Sequence, residues 1–71
     1  MSRPVKHSLT LSGHRTSVSL EPEFWAAFRA LARGRGRALN DLAAEIDADR
    51  GDRGLASAIR VAVLRAAQGL D

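Results

Sequence analysis

Across residues 8–20 the sequence "SLTLSGHRTSVSL" changes character at every second position, and at Glu21-Pro22 that rhythm stops. A period of two belongs to a strand, whose successive side chains leave on opposite faces. Residues 15–20 therefore put Thr16, Val18 and Leu20 on one face and Arg15, Ser17 and Ser19 on the other. The first face is fit for burial. The second is a row of hydrogen-bonding groups that nothing evident inside so short a chain would satisfy.

The earlier arm "SLTLS" alternates as well, with Leu9 and Leu11 together. Gly-X between two alternating runs signals a two-residue hairpin loop. With Gly13 and His14 as the loop, Ser12 faces Arg15, Leu11 faces Thr16 and Leu9 faces Val18. The apolar residues of both arms then share a face, and a one-residue slip would break the match. The alternative is a single strand at 15–20 preceded by a tail. Residues 1–7 read as a basic arm and 8–71 as one domain; no repeat or low-complexity segment is evident.

After Leu20 the period becomes helical. Proline suits the first helical position and acids suit the positive end of the helix, so Glu21 and Pro22 open a helix over about 22–33. Phe24, Trp25, Phe28, Leu31 and Ala32 form its apolar stripe, which reads as core. Gly34 or Gly36 is available for a left-handed C-terminal cap. A second helix is expected over about 39–48, with Asn40 as N-cap, Asp41 in the first turn and Leu39, Leu42, Ala43 and Ile46 on the buried edge. A third is expected over about 55–68. Its buried face is Leu55, Ala58, Ile59, Ala62, Val63 and Ala66, broadened by Val61 and Leu64 as at an interface between two copies.

A chain of 71 residues makes one domain at most. At this size only about 60% of the unfolded surface is buried, so small domains add disulfides, metals or a partner chain. The absence of cysteine removes disulfides and thiolate metal sites, and His7 and His14 are too few for zinc. A second copy remains, and an obligate homodimer is expected. No run is apolar enough to span a membrane, and the first residues lack the apolar core of a secretory signal; a cytoplasmic, nucleoid-associated location is expected.

The net charge is +3 and the isoelectric point about 11.1. Residues 1–20 carry Arg3, Lys6 and Arg15 and no acid, and 33–37 read "RGRGR"; the acids gather in "DLAAEIDADRGD". That polarity favours a phosphate-rich partner at the basic end, against the plainer reading of a solvated surface.

Catalytic constellations are missing. No serine sits in a nucleophile elbow. "DADRGD" starts like a calcium loop, but its twelfth position falls on Ala58 instead of a glutamate. "GRG" lacks a preceding strand, and Glu21 and Glu23 are explained by the helix start. No enzyme activity, cofactor or metal is expected.

Strand, proline-opened aromatic helix, glycine turn and second helix, in this order over about 15–49, resemble the ribbon-helix-helix DNA-binding proteins of the Arc and MetJ class. The matching parts are "RTSVSLEPEFWAAFRALA", Gly36 and "GRALNDLAAEI". More narrowly, "GHRTSVSLEPEFW" is similar to a signature of short bacterial members. The resemblance implies a mainly α fold with a short β-ribbon, made as a homodimer from one strand of each chain and carried on helices of both. The ribbon would enter the DNA major groove, with Arg15, Ser17 and Ser19 on base edges. Leu39, Asn40 and Asp41 would hold a phosphate at a helix start, with Arg35, Arg37, Lys6 and His14 nearby.

The function so implied is sequence-specific binding of double-stranded DNA by a small bacterial transcriptional repressor or autoregulator. Two features depart from the pattern. A third helix follows, and "LASAIRVAVLRAA" can itself be read as the family's second helix, with 39–53 inserted and Ala56 and Ser57 at the phosphate. A strand at 8–12 would widen the sheet beyond what a major groove readily takes. Competing functions are an antitoxin-like protein-interaction module using helix 55–68 and a dimerisation domain without nucleic acid.

Overall fold

The computed structural model describes residues 3–70; Met1 and Ser2 of the expected arm, and Asp71 at the domain's end, lie outside the described residues. Five elements follow one another: β1 (Val5–Leu11), β2 (His14–Leu20), α1 (Pro22–Gly34), α2 (Leu39–Asp49) and α3 (Leu55–Ala67). The helices lie within one residue of their expected bounds. Residues 5–7, expected in the arm, are the first part of β1.

β1 and β2 pair antiparallel into a two-stranded sheet. The loop is Ser12-Gly13, not Gly13-His14, and it brings Leu11 opposite His14, Leu9 opposite Thr16 and His7 opposite Val18. Ser12 and Gly13 both have positive φ, 51° and 86°, as a type I′ turn requires; this turn matches the strands' own twist. Moving the loop by one residue shifts the pairing by two. Two is the strand period, so every side chain keeps its face and the alternation is indifferent between the two registers. Where the resemblance implied a strand from a second chain, β2 is paired with β1 of its own chain.

One face of the hairpin closes the core. Leu9, Leu11, Val18 and Leu20 are buried there against Trp25, Phe28 and Ala32 of α1, Leu42 and Ala43 of α2 and Ile59 and Val63 of α3. Thr16, Phe24 and Ile46 are only half-buried. Trp25 is 2% exposed, and its indole N–H donates to the Val5 carbonyl at 2.8 Å, which fixes the far end of β1 over α1. The His7 ring stands edge-on to the indole, with centroids 4.8 Å apart. Ala58, Ile59 and Val63 anchor α3, whereas Leu64 is 54% exposed.

α1 starts as its sequence dictates. The Trp25 N–H reaches the Glu21 carbonyl at 3.0 Å, with Pro22 in the first turn, where no amide is missed. It ends in a left-handed glycine: Gly36 has φ 64°, and the Arg37 N–H returns to the Ala32 carbonyl at 2.9 Å. Asn40 is not the cap of α2. That position falls on Ala38, which offers no side-chain oxygen, and the Asn40 carboxamide is used elsewhere.

Candidate nucleic-acid interface

The register assigns the outer face of the hairpin residue by residue. Lys6 stands opposite Ser19, Ser8 opposite Ser17 and Thr10 opposite Arg15. Five of the six are exposed and Ser19 is half-buried. None of their side chains makes a hydrogen bond or ion pair with a described residue. Because Leu11 and His14 close a two-residue turn, the outward pairs fall at the non-hydrogen-bonded positions, where Cα atoms approach to about 4.5 Å. The surface is thus a compact ladder of four hydroxyls with a cation at each end, two strands wide and free of carboxylates. Arg15, Ser17 and Ser19 sit on it as the sequence predicts. Lys6, Ser8 and Thr10 sit beside them, and the sequence reading gave Ser8 and Thr10 no role. The signal for them was present: the same alternation in the first arm, once that arm is a strand.

Each edge of the ribbon is touched at one backbone group by a helix of the same chain. Along β1, the Thr10 N–H donates to Asn40 Oδ1 of α2 at 3.2 Å. Along β2, Arg60 Nη2 of α3 approaches the Ser19 carbonyl at 3.5 Å. The same guanidinium donates to Glu21 Oε1 through Nε and Nη2, at 3.0 and 2.8 Å, and lies 5.6 Å from the centre of the Phe24 ring. The Glu21 carboxyl is held below its usual range, first by a backbone N–H at Glu21 and next by Arg60, while partial burial opposes them. Glu21 was expected to serve the helix start; its side chain makes no capping hydrogen bond and clasps α3 instead. Arg60 went unnoticed in the sequence because its partners lie 39 and 41 residues away.

The other expected contact residues lie apart from the outer face. Leu39, Asn40 and Asp41 form the first turn of α2, which has no side-chain cap, next to the β1 edge. Asp41 is exposed; its backbone carbonyl accepts from Arg37, whose guanidinium also pairs with Glu45. Arg35 belongs to the same α1–α2 turn. His14, opposite the buried Leu11, is on the inward side of the hairpin, where it lines a shallow groove with Asp47, Arg50 and Leu55. Ala56 and Ser57 follow Leu55 at the start of α3. Among the described residues no group of three or more His, Cys, Asp or Glu side chains is arranged to hold a metal ion, and no helix is long and apolar enough to cross a membrane.

A family model described as a ribbon-helix-helix domain matches residues 4–67. No curated protein and no solved structure gives a significant match. The matched span runs through all five elements, so the first strand and the third helix, which stood out as departures from the pattern, fall inside the family's own domain.

Proposed function

The chain belongs to the ribbon-helix-helix domain family, a family of DNA-binding regulators in general, and from that premise we propose that it is a sequence-specific binder of double-stranded DNA that sets the outer face of its β1–β2 hairpin into the major groove. The observation that carries this reading is the outer face itself. It is a continuous polar ladder with cationic ends and no internal use, two strands wide, and a major groove admits a two-stranded ribbon. Arg15 makes the sharpest contact, since guanidinium pairs with guanine through two hydrogen bonds. Ser17 and Ser19 donate and accept, and so tolerate several bases. The backbone beside β1 is met by the uncapped amides of Leu39, Asn40 and Asp41 and by Arg35 and Arg37.

The biological role that follows is a small bacterial transcriptional repressor or autoregulator acting as a homodimer. Because each hairpin already has two strands, self-association in this reading joins two ribbons on one DNA site instead of building one ribbon. Each ribbon keeps the width that a groove takes. A protein-interaction role would use the outer side of α3, where Leu64 is exposed. But α3 holds Ala58, Ile59 and Val63 in the core, which favours the DNA reading over a detachable toxin-binding tail.

A random-library duplex selection with the purified protein, coupled to light scattering after size exclusion, tests the proposal. It should return an enriched motif bound by a dimer, with affinity falling steeply as salt rises. Arg15→Ala should flatten the preference while leaving the fold intact. An Arg15→Ala protein as selective as the parent, or a parent that enriches nothing, would refute it.

A further inference from the structure

Between α2 and α3 the chain leaves a space that neither helix fills. Leu42 and Ile46 stand one turn apart on α2, and Ala58, Val61 and Ala62 line the same space from α3. Positions three and four apart share a helix face, and two of the three on α3 are alanines, too short to reach across. The result is an open cleft of about 390 Å³ with an apolar floor. Ala62, expected on the buried face of α3, is only half-buried, as is Val61, because the cleft opens over them. Its volume lies within the range of small-molecule sites, roughly 300–1,000 Å³.

The rim is charged, and its charges do not cancel. Residues 50–54 turn the chain from α2 back to α3, which gives the cleft a loop end and a far end. At the loop end Arg50 is engaged: its Nε donates to Asp47 Oδ1 at 2.6 Å and its Nη1 to the Arg53 carbonyl at 2.6 Å. The Arg53 guanidinium is there too, and the Asp49 carboxylate offsets it. Glu45, between the ends, is paired with Arg37. The far end, where α2 begins and α3 finishes, carries Arg35 and Arg65, and the described residues that line the cleft add no carboxylate beside them. Arg65 gives one N–H to the Leu70 carbonyl at 3.3 Å, which leaves its other N–H groups to a ligand.

We propose that the α2–α3 cleft binds a small organic anion with an apolar tail, of the class of medium-chain carboxylates. The carboxylate lies at Arg65 and Arg35, and the tail runs over Ala62 and Ala58 beside Ile46. A guanidinium and a carboxylate match through parallel charge-assisted hydrogen bonds. The methylenes take from water a floor that the helices leave uncovered, and burial of apolar surface favours the complex. Each part of the ligand answers to one part of the cleft. A tail with a cationic head would meet Arg65 and Arg35 with like charge, and a bare inorganic anion would leave the floor wet. A second copy laid across the cleft on a two-fold axis would bring the same arginines together. No described residue of the hairpin lines the cleft, so this inference does not rest on the DNA-binding reading.

Octanoate titrated into the isotope-labelled protein and followed by NMR tests the proposal, with acetate and octylammonium as controls. Octanoate should shift amides of α2 and α3 saturably; acetate and octylammonium should not. Arg65→Gln should weaken octanoate binding on the order of tenfold, and Ala62→Leu, which fills the floor, should abolish it. Arg29→Gln removes the same charge over the Trp25 ring, outside the cleft, and should leave binding unchanged. A thermal melt checks the folding of each variant. Arg65 and Arg29 are exposed, so the charge comparison stands even if Ala62→Leu does not fold. The inference is overturned if octanoate gives no saturable shift, if octylammonium binds as well as octanoate, or if Arg29→Gln and Arg65→Gln lose equally. It is overturned too if the α2 and α3 amides move with protein concentration, light scattering shows a dimer and octanoate leaves them unmoved; a second copy then covers the cleft.

Discussion

Asn40, in the first turn of α2, accepts the backbone N–H of Thr10 in β1 at 3.2 Å. The bond joins a helix start to the turn end of a strand edge, 30 residues apart in the chain, and covers an amide that would otherwise invite another strand. Asn40→Ala removes the acceptor. The net cost should be at most about 1 kcal/mol, because alanine is the better helix former. The sharper readout is local: hydrogen exchange at Thr10 should accelerate well beyond that of Leu9 or Leu11, whereas Asn40→Asp, which keeps an oxygen, should protect it.

Glu21 and Arg60 should impart a pH dependence of known sign. The Glu21 carboxyl is held below its ordinary value of 4.5, so the folded state binds its proton less readily than the unfolded chain. The stabilisation is fully present above that ordinary value and is lost as pH falls through the lower, folded-state value. The melting temperature of the parent should therefore drop below pH 4.5 more than that of Glu21→Gln, and the difference between the two curves isolates this group from the other carboxylates. Arg60→Ala should lower the melting temperature further at neutral pH, since it also uncovers Phe24 and the Ser19 carbonyl. Equal acid sensitivity of parent and Glu21→Gln would contradict the sign.

Ser12 holds φ 51° in a type I′ turn, a conformation that costs an ordinary L-residue roughly 1–2 kcal/mol. Asparagine tolerates it better, and Asn-Gly is the preferred pair for this turn. Ser12→Asn should therefore stabilise the protein by about 0.5–1 kcal/mol, read from urea unfolding. Gly13→Ala should destabilise it by about 1–2 kcal/mol, although open space surrounds the position.

Trp25 is the only tryptophan and is 2% exposed, so native emission should be blue-shifted and report unfolding directly. Trp25→Phe keeps the aromatic bulk but loses the indole hydrogen bond to the Val5 carbonyl, which retains its partner in the β1–β2 ladder, at a cost of about 0.5–1.5 kcal/mol. Trp25→Ala opens a cavity worth about 3–5 kcal/mol, which is close to everything a domain of this size has. It should not fold at 37 °C by circular dichroism.

What the sequence made legible is what depends on period and local chemistry. The change from two to 3.6 at Glu21-Pro22 sets the boundary between β2 and α1. The alternation alone separates Val18 and Leu20 from Arg15, Ser17 and Ser19. The hairpin loop was not legible, because two registers differing by one whole strand period satisfy the same pattern, and only the φ values of Ser12 and Gly13 distinguish them. The cap of α2 was misplaced because asparagine is a good cap wherever its side chain is free, and Asn40 is committed to Thr10. Arg60 was invisible for a third reason. A charged residue on an amphipathic helix looks like solvated surface until the fold brings Glu21, Phe24 and Ser19 to it.

The covalent link between the two strands at Ser12-Gly13 has an evolutionary consequence. When a reading surface is assembled from two identical molecules, each change in the gene is expressed twice, and the surface is locked to its own mirror in sequence space. Here the two halves are written in different codons. Lys6 can be replaced while Arg15 stays, so the two ends of the hairpin's outer face are free to change one at a time.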